Sequence, residues 1–281
     1  MPVAEGVYAH IGDKGPRTSD NEGLNANLGL VLTGQGAVLI DSGATALSAR
    51  RIHDAIRRIT REPVRWVINT GTQDHRWFGN GYFQSIGAEL IAHADGRNDM
   101  RARGGDQLAQ LRALGIATAN DTELVLPSRW ITKPDASLQL GGMGFEFRHR
   151  GGAHTPGDMM VWLPQRRVLF AGDVVYVDRL PAILPVSNTR HWLASFDALE
   201  TLAPARIVPG HGELTDLATA HAHTRAYLES LRKHMKRSVE QGVDIGEAVR
   251  SFDGSTFGHL LNAAELMPAN ANRAYLELER E

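Results

Sequence analysis

The chain of 281 residues contains no cysteine. That absence removes disulfides, thiolate metal ligands and a thiol nucleophile together. It leaves the redox compartment open, because a cysteine-free chain survives in either setting. An excess of one charge is missing too: 30 Lys and Arg stand against 32 Asp and Glu, a net charge of −2, with no basic block. The electrostatic footprint of a nucleic-acid or membrane-surface binder is therefore absent. No apolar run approaches the roughly 20 residues that span a bilayer. The N-terminal MPVAEGVYAHIG has neither the basic start nor the apolar centre of a signal peptide. The expected location is cytoplasmic by default, or periplasmic if a leader has been removed, and the expected partner is a small-molecule substrate. There is no Pro/Ser/Gly linker, low-complexity tract or repeat, so residues 1–281 read as one domain, although length alone would allow two.

Short apolar runs followed by turn residues read as buried strands. The first half offers 28–34, 37–41, 64–69 and 88–93; the second offers 145–149, 159–164, 167–173 and 205–210. Helical patterns lie between them at 45–60, 97–114, 190–202 and 215–241, and again toward the end of 263–281. On the first, Ile52, Ala55, Ile56 and Ile59 fall on one face. Strands and helices alternate, yet several strands come in hairpin-like pairs. That mixture points to an α/β protein of two mixed sheets with helices outside them. The remainder of 97–135 reads as loop.

Polar residues cluster where these strands stop. VRWVIN runs into TGTQDH, ending on Asp74 and His75, and FEFRHRGG leads to His154 and Asp158. RVLFAG runs into Asp173, ARIVPG into His211, and AVLI into Asp41. Loops at strand ends are where a rigid scaffold displays chemistry. Two histidines and two aspartates from separate loops make a nitrogen–oxygen set that borderline metals accept. Any one of these aspartates alone would be read as a turn or helix cap; the weight rests on the combination. The other histidines, at 10, 53, 93, 149, 191, 221, 223, 234 and 259, read mostly as surface or satisfied core residues.

LIDSG, then VINTGTQDHRWFGN, GGAHTPGDMMVWLP, VLFAGD and IVPGHG resemble, in order and spacing, the signature of metallo-β-lactamase-fold hydrolases. The resemblance runs from about residue 5 to 240. It implies a four-layer αβ/βα sandwich with metals at the shared edge of the two sheets. It also implies a departure. The HxHxDH motif should supply two site-one histidines, but those positions hold Thr70 and Thr72; the other register gives Gly71 and Gln73. Site one keeps His154 and the bridging Asp173, too few for a zinc. Site two keeps Asp74, His75, Asp173 and His211. One metal at site two is thus expected, zinc first and iron or manganese as alternatives. His154 is an additional candidate ligand, with Gln73 or a threonine hydroxyl as weak assistants.

The function these readings imply is hydrolysis of an ester, thioester or lactone by a water on that one metal. Asp74 and His154 are the candidate catalytic residues. Asp74 and Asp173 would orient the water. His154, freed from a first metal, would take a proton near its ordinary pKa of about 6.5 or donate to the developing oxyanion. The rival expectation is a degenerate, non-catalytic member that binds a small molecule or a protein. The stretch 178–192, which holds His191, reads as a crossover loop into a helix, with a substrate wall as the other reading.

Overall fold

The computed structural model describes residues Met1–Glu281. The first sheet has seven strands, β1 (Pro2–Ala4), β2 (Val7–His10), β3 (Leu28–Leu32), β4 (Ala37–Ile40), β5 (Val64–Ile68), β6 (Glu89–His93) and β7 (Arg129–Ile131), neighbours in that order. The first four pair antiparallel and the last four parallel. Helices α1 (Ala46–Ile59), α2 (Asp74–Trp77), α3 (Asn80–Ser85) and α4 (Arg97–Ala113) interleave with them. The second sheet has five strands: β8 (Asp135–Leu140), β9 (Met143–Arg148), β10 (Met160–Leu163), β11 (Val168–Tyr176) and β12 (Arg206–His211), in the order β12-β11-β10-β9-β8. Helices α5 (Thr189–Leu202), α6 (Leu217–Ala220), α7 (Ala226–Glu240), α8 (Ile245–Arg250) and α9 (Ala263–Leu278) accompany it.

The layers follow from the pattern of side chains. In β4, Val38 and Ile40 join Phe145, Phe147, Val161 and Phe170 in a core between the sheets. Ala37 and Leu39 point the other way, toward Ala49 and Ile56 of α1. A strand covered on both faces has no use for polar alternation, which is why it reads as a continuous apolar run. On the far side, Leu169 and Ala171 of β11 pack with Trp192 and Phe196 of α5 and Leu228 and Leu231 of α7. Helix, sheet, sheet and helix make the αβ/βα sandwich that the sequence implies. No helix is long and apolar enough to cross a membrane.

Several sequence expectations need adjustment. The pattern at 215–241 is not one helix but α6 and α7 joined by a π-helical turn at His221–Arg225. Strand β8 and the N-terminal hairpin β1–β2 escaped the reading, because their burial patterns are mixed and short. The face of α1 is covered only in part: Ile56 is buried, but Ile59 stays 44 % exposed and borders a cavity of about 470 Å³ over β2–β4. That helix is set at its start by Thr45, whose hydroxyl accepts from the Ser48 amide at 3.0 Å in a capping box.

Candidate metal centre

Each site residue is placed by a strand end, though not always beyond it. Asp74 and His75 open the short helix α2 after β5, Asp173 lies inside β11, and His211 is the last residue of β12. Asp173 therefore sits within a strand, where the β11–β12 ladder shifts register between Gly172 and Tyr176, and not in the loop expected for it. His75, Asp173 and His211 are all buried, and their ligand-type atoms lie within 4.8 Å of one another. His75 Nε2 is 3.4 Å from Asp173 Oδ2, and His211 Nε2 is 3.2 Å from Asp173 Oδ1. The two imidazoles meet edge to face at 86°.

The histidines of the second sheet have their protons assigned by their surroundings. His211 Nδ1 donates to the Asn25 carbonyl at 2.8 Å, and His154 Nδ1 donates to the Ala182 carbonyl at 2.7 Å. A ring anchored through Nδ1–H presents an unprotonated Nε2, the arrangement metal-bound histidines use. Burial lowers the His211 pKa to about 3, against the pull of Asp173. At neutral pH its Nε2 lone pair thus faces a carboxylate oxygen with no proton between them. Two acceptors at 3.2 Å repel unless a cation stands between them.

The first sheet contributes differently. Thr70 donates to Asp41 from both its amide, at 2.7 Å, and its hydroxyl. The Thr72 hydroxyl bonds Asp99. Both threonines are spent on structure, so neither hydroxyl is free to assist a metal; Gln73 Oε1 is buried without a partner. Asp74 is fully buried, but its carboxylate accepts from the His75 amide and pairs with Arg17. Burial would raise its pKa, yet the Arg17 charge and the contacts of His75 together lower it. Asp74 thus sits beside the His75–Asp173–His211 group with its charge already answered.

Sequence reading missed both arginines. Arg76, 1 % exposed, grips both oxygens of Asp173 at 3.0 and 2.7 Å and reaches Asp41 at 2.8 Å. Burial pushes the Asp173 pKa upward, but the Arg76 guanidinium, together with the neighbouring imidazoles, holds it well below the usual carboxylate range. The available signal was an arginine directly after Asp74–His75 in an apolar context, which a buried ion pair explains. Asp158 adds no charge at neutral pH, since burial and repulsion from Asp173 push its pKa to about 8. Asp41, Asp74 and Asp173 face Arg17 and Arg76, and a third guanidinium, Arg179, lies 3.4 Å from His211 Nδ1. The convergence of His75, Asp173 and His211, with the Nε2 of His211 left unprotonated, fits a divalent cation held by these three residues.

His154 lies 3 % exposed against Tyr176 and Trp192. Burial lowers its pKa to about 4, partly offset by Asp173. This corrects the expectation of proton uptake near 6.5: the apolar wall disfavours the imidazolium. Its unprotonated Nε2 also rules out donation to an oxyanion. The 178–192 stretch is a crossover into α5 that serves the site through the Ala182 backbone, while His191 Nδ1 turns to the Gly151 carbonyl at 3.0 Å.

Comparison with known proteins supplies the family. Residues 21–211 match the model of the metallo-beta-lactamase superfamily. A metallo-beta-lactamase type 2 from Bacteroides fragilis is 26 % identical over 220 residues, covering 70 % of this chain and 78 % of the relative. Among solved structures, a metallo-beta-lactamase from Pontibacter korlensis superposes with a TM-score of 0.63 at 20 % identity, over 78 % of this chain and 94 % of that one. The inverting sec-alkylsulfatase Pisa1 from Pseudomonas sp. gives a TM-score of 0.74 at 18 % identity, over 89 % of this chain and 47 % of that one. The fold, the matched segment and the buried His and Asp residues at the sheet edge lead to one conclusion: the chain belongs to the metallo-β-lactamase superfamily.

Proposed function

We propose that the chain, acting as one unit over residues 1–281, is a metal-dependent hydrolase. It would work with a single cation, zinc by the donor set, on an activated ester, thioester or lactone. The observation that carries this reading is the buried pair of acceptors, His211 Nε2 and Asp173 Oδ1, facing each other at 3.2 Å. When bound, such a cation supplies Lewis acidity and makes water a nucleophile near neutral pH. Asp173 and His211 hold their positions through Arg76 and the Asn25 carbonyl, so little reorganisation accompanies the reaction. His154 acts through Nε2, accepting a hydrogen bond from the attacking water and directing its lone pair at the substrate carbonyl. Asp74, whose carboxylate accepts from the His75 amide, orients His75 and takes no proton.

A second reading rests on the same arginines. Since Arg17 and Arg76 already pair with the three carboxylates of the site, a non-catalytic module that binds a small molecule or a protein is the rival. Metal analysis of protein purified without chelator or added metal, followed by an ester, thioester and lactone panel, separates the two. One equivalent of metal with hydrolysis that chelation abolishes is expected. His154→Ala should lower kcat by roughly 100-fold, the scale of losing one group that positions the attacking water, with metal content retained. Loss of metal in that variant would make His154 a ligand, and a loaded protein inert across the panel would favour the binding module.

A further inference from the structure

Arg17 lies between β2 and β3, in a segment with no regular element. Side-chain bonds brace this segment: the Thr18 amide to Asn21 Oδ1 at 2.9 Å, Asn21 Nδ2 to the Pro16 carbonyl at 3.0 Å, and Asn25 Nδ2 to the Gly15 carbonyl at 3.1 Å. From there the side chain enters the metal centre and makes two contacts. Nη1 pairs with Asp74 Oδ2, and Nη2 lies 3.3 Å from His75 Nδ1.

The second contact matters as much as the first. A guanidinium can only donate, so this contact favours the ring form in which His75 Nδ1 accepts and the proton sits on Nε2. Nε2 then donates to Asp173 Oδ2 at 3.4 Å. A ring protonated on Nε2 cannot ligate through that atom. The tautomer that can ligate needs its proton on Nδ1, where Asp74 Oδ1 waits as acceptor, also 3.3 Å away. One side chain thus occupies the carboxylate that would complete the ligand set and selects the wrong form of a histidine within it.

We propose that Arg17 is a resident cation that contests this site with the metal, and that metal binding requires its withdrawal from Asp74 and His75. The inference rests on the one-metal reading above. Withdrawal is local: the Arg17 side chain is already 19 % exposed, so rotation about its own bonds carries the charge to water. Asp74 then gains the freedom to ligate and to hold the His75 proton on Nδ1. Arg76 is not such a rival. It is 1 % exposed and grips Asp41 and Asp173 together, and its contacts leave the His75 and His211 tautomers alone.

Zinc titration against a competing chelator, with the zinc-induced rise in Tm as a second readout, tests this on the full chain. Arg17→Gln and Arg17→Ala should tighten zinc roughly tenfold or more, the size of a coupling between contacting groups. They should also show a larger zinc-induced rise in Tm than the unmodified chain, because the metal replaces the missing charge. Arg17→Lys should stay close to the unmodified chain. Asp74→Asn should weaken zinc modestly by itself and erase the gain in the double variant. An unmodified chain that binds one equivalent while both Arg17 variants bind equally or more weakly overturns the inference and spares the one-metal reading. If no form binds zinc or cobalt stoichiometrically, both fall. Should Arg17→Ala fail to fold without zinc, Arg17→Gln, which keeps a donor, decides the matter by the same titration.

Discussion

His75, Asp173 and His211 form one group of two imidazoles and a carboxylate, and His93, Asp95 and His149 form another; ligand-type atoms in each lie within 4.8 Å. Counted by residue type the groups are alike. In the first the rings stand at 86° and their Nε2 atoms converge on a buried carboxylate. In the second the rings stack at 22° with centroids 3.6 Å apart, and Asp95 is 58 % exposed. A ligand lone pair lies in the ring plane, so two stacked rings cannot both aim at one ion without turning. His149 instead bonds the Asp158 carbonyl at 2.8 Å and Asp95 at 2.9 Å. Proximity of histidine and aspartate does not make a metal centre; ring orientation and the placement of protons do.

The sharpest way to break that comparison is to remove one imidazole from each group. His211→Ala should cost at least roughly 100-fold in zinc affinity, the scale on which even outer-shell partners of metal ligands act, and abolish hydrolysis. His149→Ala should leave one equivalent bound. Metal analysis after dialysis reads both, and a loss of stoichiometry in His149→Ala would mean that the stacked pair does bind an ion.

A smaller effect concerns the charge beneath the first group. Arg76→Met should lower the unfolding free energy by about 3–5 kcal/mol in urea denaturation, since it strands Asp41 and Asp173 without their buried partner. A change under about 1 kcal/mol would show that the site tolerates its carboxylates uncompensated.

The smallest effect belongs to the stacked pair. Burial, and then His149, lower the His93 pKa to about 4. Between about 4 and 6.5 the unfolded chain binds the extra proton, so this contribution to stability is full above 6.5 and is lost as pH falls through 4. His93→Gln should flatten the acid limb of metal-free stability by on the order of 1 kcal/mol, relative to the unmodified chain. Parallel pH profiles would sink this assignment. His154 and His211, whose pKa values also lie low, contribute equally to both proteins and cancel.

Much of this was legible in the residues. Runs such as AVLI and RVLFAG are apolar throughout because the sandwich covers both faces, and the aspartates and histidines at their ends stand out against that background. Arg17 gave no such signal, and Arg76 only its place directly after Asp74 and His75. Their partners are 57 and 97 residues away, and an isolated arginine in a sequence reads as solvated surface. The His154 proton was misjudged for a related reason: its ordinary pKa belongs to water, while Tyr176 and Trp192 come from strand and helix residues well downstream.

By itself the sequence determined most of the strands, an α/β protein of two mixed sheets and the identity of the polar residues at the strand ends, because hydrophobic periodicity and turn chemistry are local properties; the four-layer sandwich followed from the family resemblance. Only the tertiary structure decided which nitrogen of each histidine carries a proton, which carboxylates are already neutralised and which histidine pair can face an ion. Those depend on carbonyls and guanidiniums that folding brings within 3–4 Å from distant parts of the chain, where short-range electrostatics, not residue type, sets the chemistry.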